Sequence, residues 1–145
     1  GGDNTPAFQA YKSGSDQALA DESYVKITFE TESYDTDGCF ATDTTFTPTT
    51  AGKYLVYAQV RTQDGGNINN IRLQLYKNGA ALTQGYGANA NVTYIGFTGV
   101  VTMNGSSDYL EVYYRGDISS GSLDAVAWDS DPGQTFFGAH KLIGI

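Results

Sequence analysis

The sequence predicts an all-β fold, a sandwich of about ten antiparallel strands. Three features carry this reading. Short runs of alternating apolar and polar residues, rich in Tyr, Val, Phe and Thr, recur along the 145 residues and suit half-buried strands. Turn formers punctuate those runs, Gly above all, with 18 copies. No stretch keeps a helical period, and strands joined without helices pair antiparallel.

The elements follow in order. Ala7-Phe8-Gln9-Ala10-Tyr11 alternates and leads into a polar loop over residues 12–16. Residues 24–29 form a second strand, with β-branched and aromatic side chains that fit a pleated surface. An Asp-rich bend occupies residues 34–38, and a short strand spans 44–47. Pro48 ends that strand, because proline offers no N–H to a ladder. Gly52 opens the strongest strand, residues 53–62. There Tyr54, Val56, Ala58 and Val60 share one face, and Leu55, Tyr57, Gln59 and Arg61 the other. Asp64-Gly65-Gly66-Asn67 is a loop, and Ile71, Leu73 and Leu75 mark an inward face. Asn78-Gly79 is a hairpin turn, since both central residues of a type I′ turn need positive φ. Residues 84–91 read as a Gly/Asn-rich loop, and 92–103 as a strand interrupted by Gly96 and Gly99. Asn104-Gly105 turns the chain into residues 109–114. Leu110, Val112 and Tyr114 point one way there, and Tyr109, Glu111 and Tyr113 the other. Two last strands lie near 123–128 and 135–143. The chain is one domain over residues 7–145, and 1–6 read as a linker or stalk remnant.

Composition narrows the function. A net charge of −8 without a basic cluster argues against nucleic acid, whose phosphates need Lys and Arg. It argues equally against anionic membrane surfaces. No apolar run approaches the ~20 residues that span a bilayer, so no membrane insertion is expected. Cys39 is the single cysteine, which leaves no internal disulfide. It reads as a small half-buried residue beside a turn.

Catalysis finds little support. His140 is the one histidine and has no Ser or Cys partner in a nucleophile motif. The carboxylate pairs Glu30/Glu32, Asp35/Asp37 and Asp129/Asp131 read as solvated edges or loops, although a glycosidase would need two such groups flanking one bond. The protein is therefore expected not to be an enzyme. Ca²⁺ is the one cofactor considered, with Asp124, Asp129 and Asp131, or Asp35 and Asp37, as candidate oxygen donors. Arg115-Gly116-Asp117 has the cell-attachment tripeptide sequence and reads as the start of a turn over residues 116–121.

Several of these segments stand together in a known order. Ala7-Phe8-Gln9-Ala10 opens the chain, and a bend follows the strand begun at Phe29. Then come Phe46-Thr47-Pro48 with Gly52 and Tyr54, the Asn78-Gly79 turn, Asp108-Tyr109-Leu110-Glu111-Val112, and Thr135-Phe136-Phe137-Gly138-Ala139. This order resembles the phage- and bacterial-type branch of the complement C1q/TNF-like jelly rolls. Phe137 and Ala139 depart from the usual small polar and aromatic residues of the last strand. The resemblance implies a ten-stranded antiparallel jelly roll that forms a compact homotrimer. A monomer would leave a Tyr/Leu stripe wet, so Leu55, Tyr57, Tyr109 and Tyr113 are expected at subunit contacts around the three-fold axis.

The function implied is the globular head of a phage tail fibre or similar virion appendage, binding a host surface glycan or protein. Its place would be the virion surface or an extracellular one. The alternatives are a structural trimerisation knob on a fibrous stalk and the head of a bacterial adhesin. Tyr86, Asn89 and Asn91 in one loop, and Asn67 in another, are the candidate ligand contacts.

Overall fold

A computed structural model describes residues 3–64, 67–87 and 93–145 of the chain. The described residues form thirteen strands: β1 (Ala7–Tyr11), β2 (Gln17–Leu19), β3 (Val25–Lys26), β4 (Thr31–Asp35), β5 (Phe40–Ala41), β6 (Thr45–Phe46), β7 (Gly52–Asp64), β8 (Asn67–Lys77), β9 (Ala80–Gly87), β10 (Tyr94–Met103), β11 (Leu110–Ser120), β12 (Leu123–Ala125) and β13 (Phe136–Lys141). All ladders between them are antiparallel. The count exceeds the expected ten because β2, β3, β5 and β6 are separate pieces of two or three residues.

Two sheets face each other. The first runs β2-β12-β7-β13-β1-β4, with β10 on the opposite side of β7. The second runs β5-β6-β11-β8-β9, with β3 also on β11. The chain changes sheet between β7 and β8, between β9 and β10, and again between β10 and β11, so neighbours in sequence sit across the sandwich. That crossing pattern is a jelly roll.

The alternation in β7 decides its placement. Tyr54, Val56, Ala58 and Val60 are buried between the sheets, while Leu55, Tyr57, Gln59 and Arg61 face out. Leu110, Val112 and Tyr114 fill the same layer from β11, as do Ile71, Leu73 and Leu75 from β8. One end of the layer is aromatic. Phe8 of the first sheet stacks on Phe46 at 4.5 Å and Phe40 at 4.7 Å from the second, with Phe137 edge-on at 5.0 Å. The buried Tyr54 donates from its hydroxyl to Thr50 O at 2.7 Å. Burial pushes its phenol pKa up to about 12.

Local chemistry explains the turns. Both oxygens of Asp35 accept backbone N–H bonds, from Cys39 and Phe40 at 2.9 Å each, which shapes the polar bend. Asn78 (φ 55°) and Gly79 (φ 82°) are both left-handed, as the hairpin turn requires.

Several expectations change. Within residues 24–29 only Val25 and Lys26 join a ladder. Beyond them the buried Ile27 and Phe29 still donate to main-chain oxygens, Val112 O at 2.9 Å and Asp43 O at 2.7 Å, while Thr28 N between them turns to a side chain, Gln17 Oε1 at 3.1 Å. Residues 84–87 are not loop; they complete β9. Gly85 is there because the edges of the two sheets meet, and a Cβ at that position would run into Gly96 O. Arg115-Gly116-Asp117 lies inside β11 rather than in a turn, with Leu123 packed where a Gly116 side chain would stand. The strand near 123–128 stops at Ala125, leaving Trp128 exposed.

Lys12, expected in a polar loop, is buried. Its Nζ donates to Glu30 Oε1 at 3.0 Å and Thr28 Oγ1 at 2.9 Å. Burial holds its pKa below the usual lysine value against the pull of Glu30.

Two stability outcomes follow. Phe137→Ala opens a cavity in the aromatic cluster and is expected to cost about 3–5 kcal/mol in urea unfolding. Glu30→Ala strands the Lys12 charge and is expected to cost about 2 kcal/mol, more than Lys12→Met, which removes the charge itself. The reverse ranking would show that the pair is not electrostatically coupled.

Candidate interaction surfaces

Two large outward faces and one open edge are the surfaces on offer. On the first sheet, three successive cross-strand rows carry no Asp, Glu, Lys or Arg. They are Val100–Leu55–His140–Ala7, Thr98–Tyr57–Gly138–Gln9–Tyr34 and Gly96–Gln59–Phe136–Tyr11–Thr31. Val100 is 55% exposed and Leu55 39%. The Tyr57 ring lies flat over Gly138, where any side chain would collide with it. Its hydroxyl donates to Gln9 Oε1 at 2.6 Å, and its ring stacks on His140 at 6.2 Å. His140 Nε2 is 2.5 Å from Tyr34 Oη. Burial, with the Tyr34 phenol beside it, raises the Tyr57 pKa.

The second sheet's outer face is different. Tyr76, Gln74 and Arg72 of β8 stand beside Glu111, Tyr113 and Arg115 of β11 in register. Tyr76 and Tyr113 stack at 4.0 Å, and Tyr24 tilts against Tyr76 at 6.4 Å. Gln74 Nε2 donates to Gln84 Oε1 at 2.9 Å and to Tyr24 Oη at 3.3 Å. Lys26 pairs with Glu111 at 2.9 Å, which raises the lysine pKa.

At the open edge, Leu75, Lys77, Leu82 and Thr83 face residues 99–102 across a cleft of about 350 Å³. Leu82 is 51% exposed at the register shift in β9.

The four expected contact residues, Leu55, Tyr57, Tyr109 and Tyr113, separate. Leu55 and Tyr57 lie on the first sheet's outer face. Tyr113 lies on the second sheet's, and Tyr109 sits at the foot of β11 bonded to the Asn78 turn, its N–H donating to Asn78 Oδ1 at 3.0 Å. They form no single surface within one chain. Of the ligand candidates, Tyr86 is 57% exposed on β9 and Asn67 is exposed at the start of β8. Asn89 and Asn91 lie outside the described residues.

The acidic residues considered for calcium do not gather. Asp124 lies in the β12 ladder, Asp129 accepts from Gly14 N at 2.9 Å, and Asp131 accepts from Ser33 Oγ. Among the described residues no group of three or more His, Cys, Asp or Glu is placed to hold a metal. Arg72, Tyr24 and Tyr76 were not among the expected site residues, and Arg115 entered only as part of the Arg115-Gly116-Asp117 tripeptide. The alternation Arg72-x-Gln74-x-Tyr76 was the available signal, because it marks the outward partners of the Ile71, Leu73 and Leu75 face.

The fold has clear relatives among solved structures. Murine APRIL aligns with a TM-score of 0.66 at 17% identity, over 94% of this chain and 98% of that one. Eiger TNF from S. frugiperda aligns at 0.65 and 15% identity, over 97% and 94%. The globular domain of zebrafish complement 1qA aligns at 0.60 and 16% identity, over 93% and 95%. No protein-family model and no curated protein matches the sequence.

Tyr57 gives a test of the first face. With its folded pKa raised, its contribution to stability is whole below the unfolded value of 10.0 and is lost as pH climbs toward the folded one. Tyr57→Phe is therefore expected to lower stability by about 1 kcal/mol at neutral pH. It should also flatten the alkaline fall measured by unfolding from pH 9 to 12. An unchanged alkaline slope would show that the phenol is not held protonated. What the chain shares with the TNF-type and C1q-type domains is their jelly-roll fold, end to end.

Proposed function

We propose that this domain is a trimeric extracellular head that binds a surface receptor. The observation that carries it is the three adjoining uncharged rows at the middle of the first sheet's outer face, in a protein with 24 charged side chains split 8 to 16. Lone exposed apolar residues are ordinary, but a contiguous aromatic and aliphatic face marks an interface. Leu55 and Tyr57 sit at its centre. In a ring of identical subunits the contact is heterologous, so this face meets a different surface of the next copy. The open edge with Leu82 supplies an apolar counterpart. Three copies is the number that the C1q/TNF resemblance implies. Tyr113 then faces away from this contact and is free for a ligand.

The finer reading is the head of a phage tail fibre or similar virion appendage that recognises a host surface. It rests on the order of segments from Phe29 to Tyr54 and from Asp108 to Val112.

Sedimentation is expected to give three times the 15.5 kDa chain mass at micromolar concentration. Leu55→Glu buries a charge in the contact and should weaken assembly at least tenfold, about 1.4 kcal/mol or more. A wild-type monomer at that concentration would reject the trimer. Antibody against the domain should label the tips of a virion appendage; label confined to a bacterial surface would favour the adhesin.

A further inference from the structure

We propose that the outer face of the second sheet is a binding platform for an acidic glycan, with Arg72 and Arg115 taking a sugar carboxylate. This rests on the receptor-binding reading and names the site and the ligand class.

The two arginines are direct cross-strand partners in the β8–β11 ladder. Like charges placed opposite one another destabilise a sheet. The chain has only eight cationic side chains, so pairing two of them here needs a reason. Among the described residues none of the acids around them forms an ion pair with them, including Asp21, which accepts from Ile118 N at 2.9 Å, and Glu22, whose N–H donates to Gly116 O at 2.7 Å. Asp117 accepts from the amides of Asn69 and Asn70 at 3.2 Å each. Glu111 is engaged by Lys26 at 2.9 Å and by Thr45 Oγ1 at 2.8 Å. Among the described residues neither arginine is in an ion pair. Arg72 Nε and Asn70 Oδ1 are buried in the same region without a partner. A buried polar atom left unmatched is destabilising and calls for a cause beyond the fold.

Each guanidinium instead lies against a tyrosine, Arg72 over Tyr86 at 5.7 Å and Arg115 over Tyr24 at 6.0 Å. Such stacking holds the planar fork in place while leaving the terminal Nη groups for a carboxylate, which they can grip with two parallel bonds. Among the described residues no side chain supplies the complementary anion, which leaves the forks open to an external carboxylate.

The tyrosines select a sugar as the carrier. Tyr24 and Tyr86 are 40% and 57% exposed, and the stacked pair Tyr76/Tyr113 lies in adjoining rows. Flat rings fixed by two torsions offer contact area at small entropic cost. A pyranose presents a face of C–H groups to such a ring and a rim of hydroxyls to a neighbouring amide, here the exposed Gln84, which Gln74 holds from beneath.

The test is an array of sialylated, glucuronate and galacturonate oligosaccharides, each with its methyl ester, plus poly-glutamate. The acids are expected to bind, the esters not, with binding weakened by salt. Arg72→Gln and Arg115→Gln should each reduce affinity roughly tenfold or more, with melting and sedimentation unchanged. Arg115→Lys, which keeps charge but loses the fork, should fall between. The proposal is overturned if no acidic sugar binds, if acid and ester bind alike, if poly-glutamate binds as tightly, or if the glutamine variants bind as wild type. Adhesion to host cells that survives both arginine replacements would remove this platform and leave the receptor-binding head standing. Adhesion to no surface at all would remove both.

Discussion

The stacking of Phe8 on Phe40 and Phe46, with Phe137 against its edge, is the contact that orients everything else. Phe8 and Phe137 come from neighbouring strands of one sheet, and Phe40 and Phe46 from the other. Interlocking them fixes which face of each sheet is inside. Because strand side chains alternate, that choice sends Leu55, Tyr57 and His140 outward on one side and Arg72, Tyr113 and Arg115 outward on the other. A slip of one residue in β7 would put Tyr54 in water and Tyr57 in the core.

The two outward faces then differ in kind. One has rows free of formal charge and internally bonded, from Tyr57 to Gln9 and between Tyr34 and His140. The other mixes stacked tyrosines with arginines that form no ion pair among the described residues. A neutral face suits permanent contact with a copy of the chain, where a desolvated charge would be costly. A face with cations and open aromatic rings suits a polar ligand that comes and goes. The pairing of one fold with two such faces lets assembly and recognition proceed without competing for the same residues.

Much of the architecture was legible in the residues. The alternation across residues 53–62, the Asn78-Gly79 turn and the inward Leu110 and Val112 all emerged where local chemistry and tertiary burial agree. β9 did not, because it is an edge paired on one side only and its Ala and Gly residues leave no side-chain pattern. Its Gly85 reads as loop in sequence yet serves the close approach of two sheets. Lys12 reads as solvated because its partner Glu30 is 18 positions away. Tyr57 and Tyr113 carry the same signal, an aromatic opposite a core residue, and only the topology reveals that they face opposite directions. The arginine pair was invisible for a like reason, since Arg72 and Arg115 become neighbours only through the β8–β11 register.

The division between the faces can be read directly by hydroxyl-radical footprinting across a dilution series. Labelling at Leu55 and Tyr57 should rise as subunits separate, while Tyr24 and Tyr86 react equally at every concentration. Labelling that is independent of concentration at Leu55 and Tyr57, or protection that appears at Tyr24 and Tyr86 on assembly, would contradict the assignment of the neutral face to self-contact and the tyrosine–arginine face to ligand.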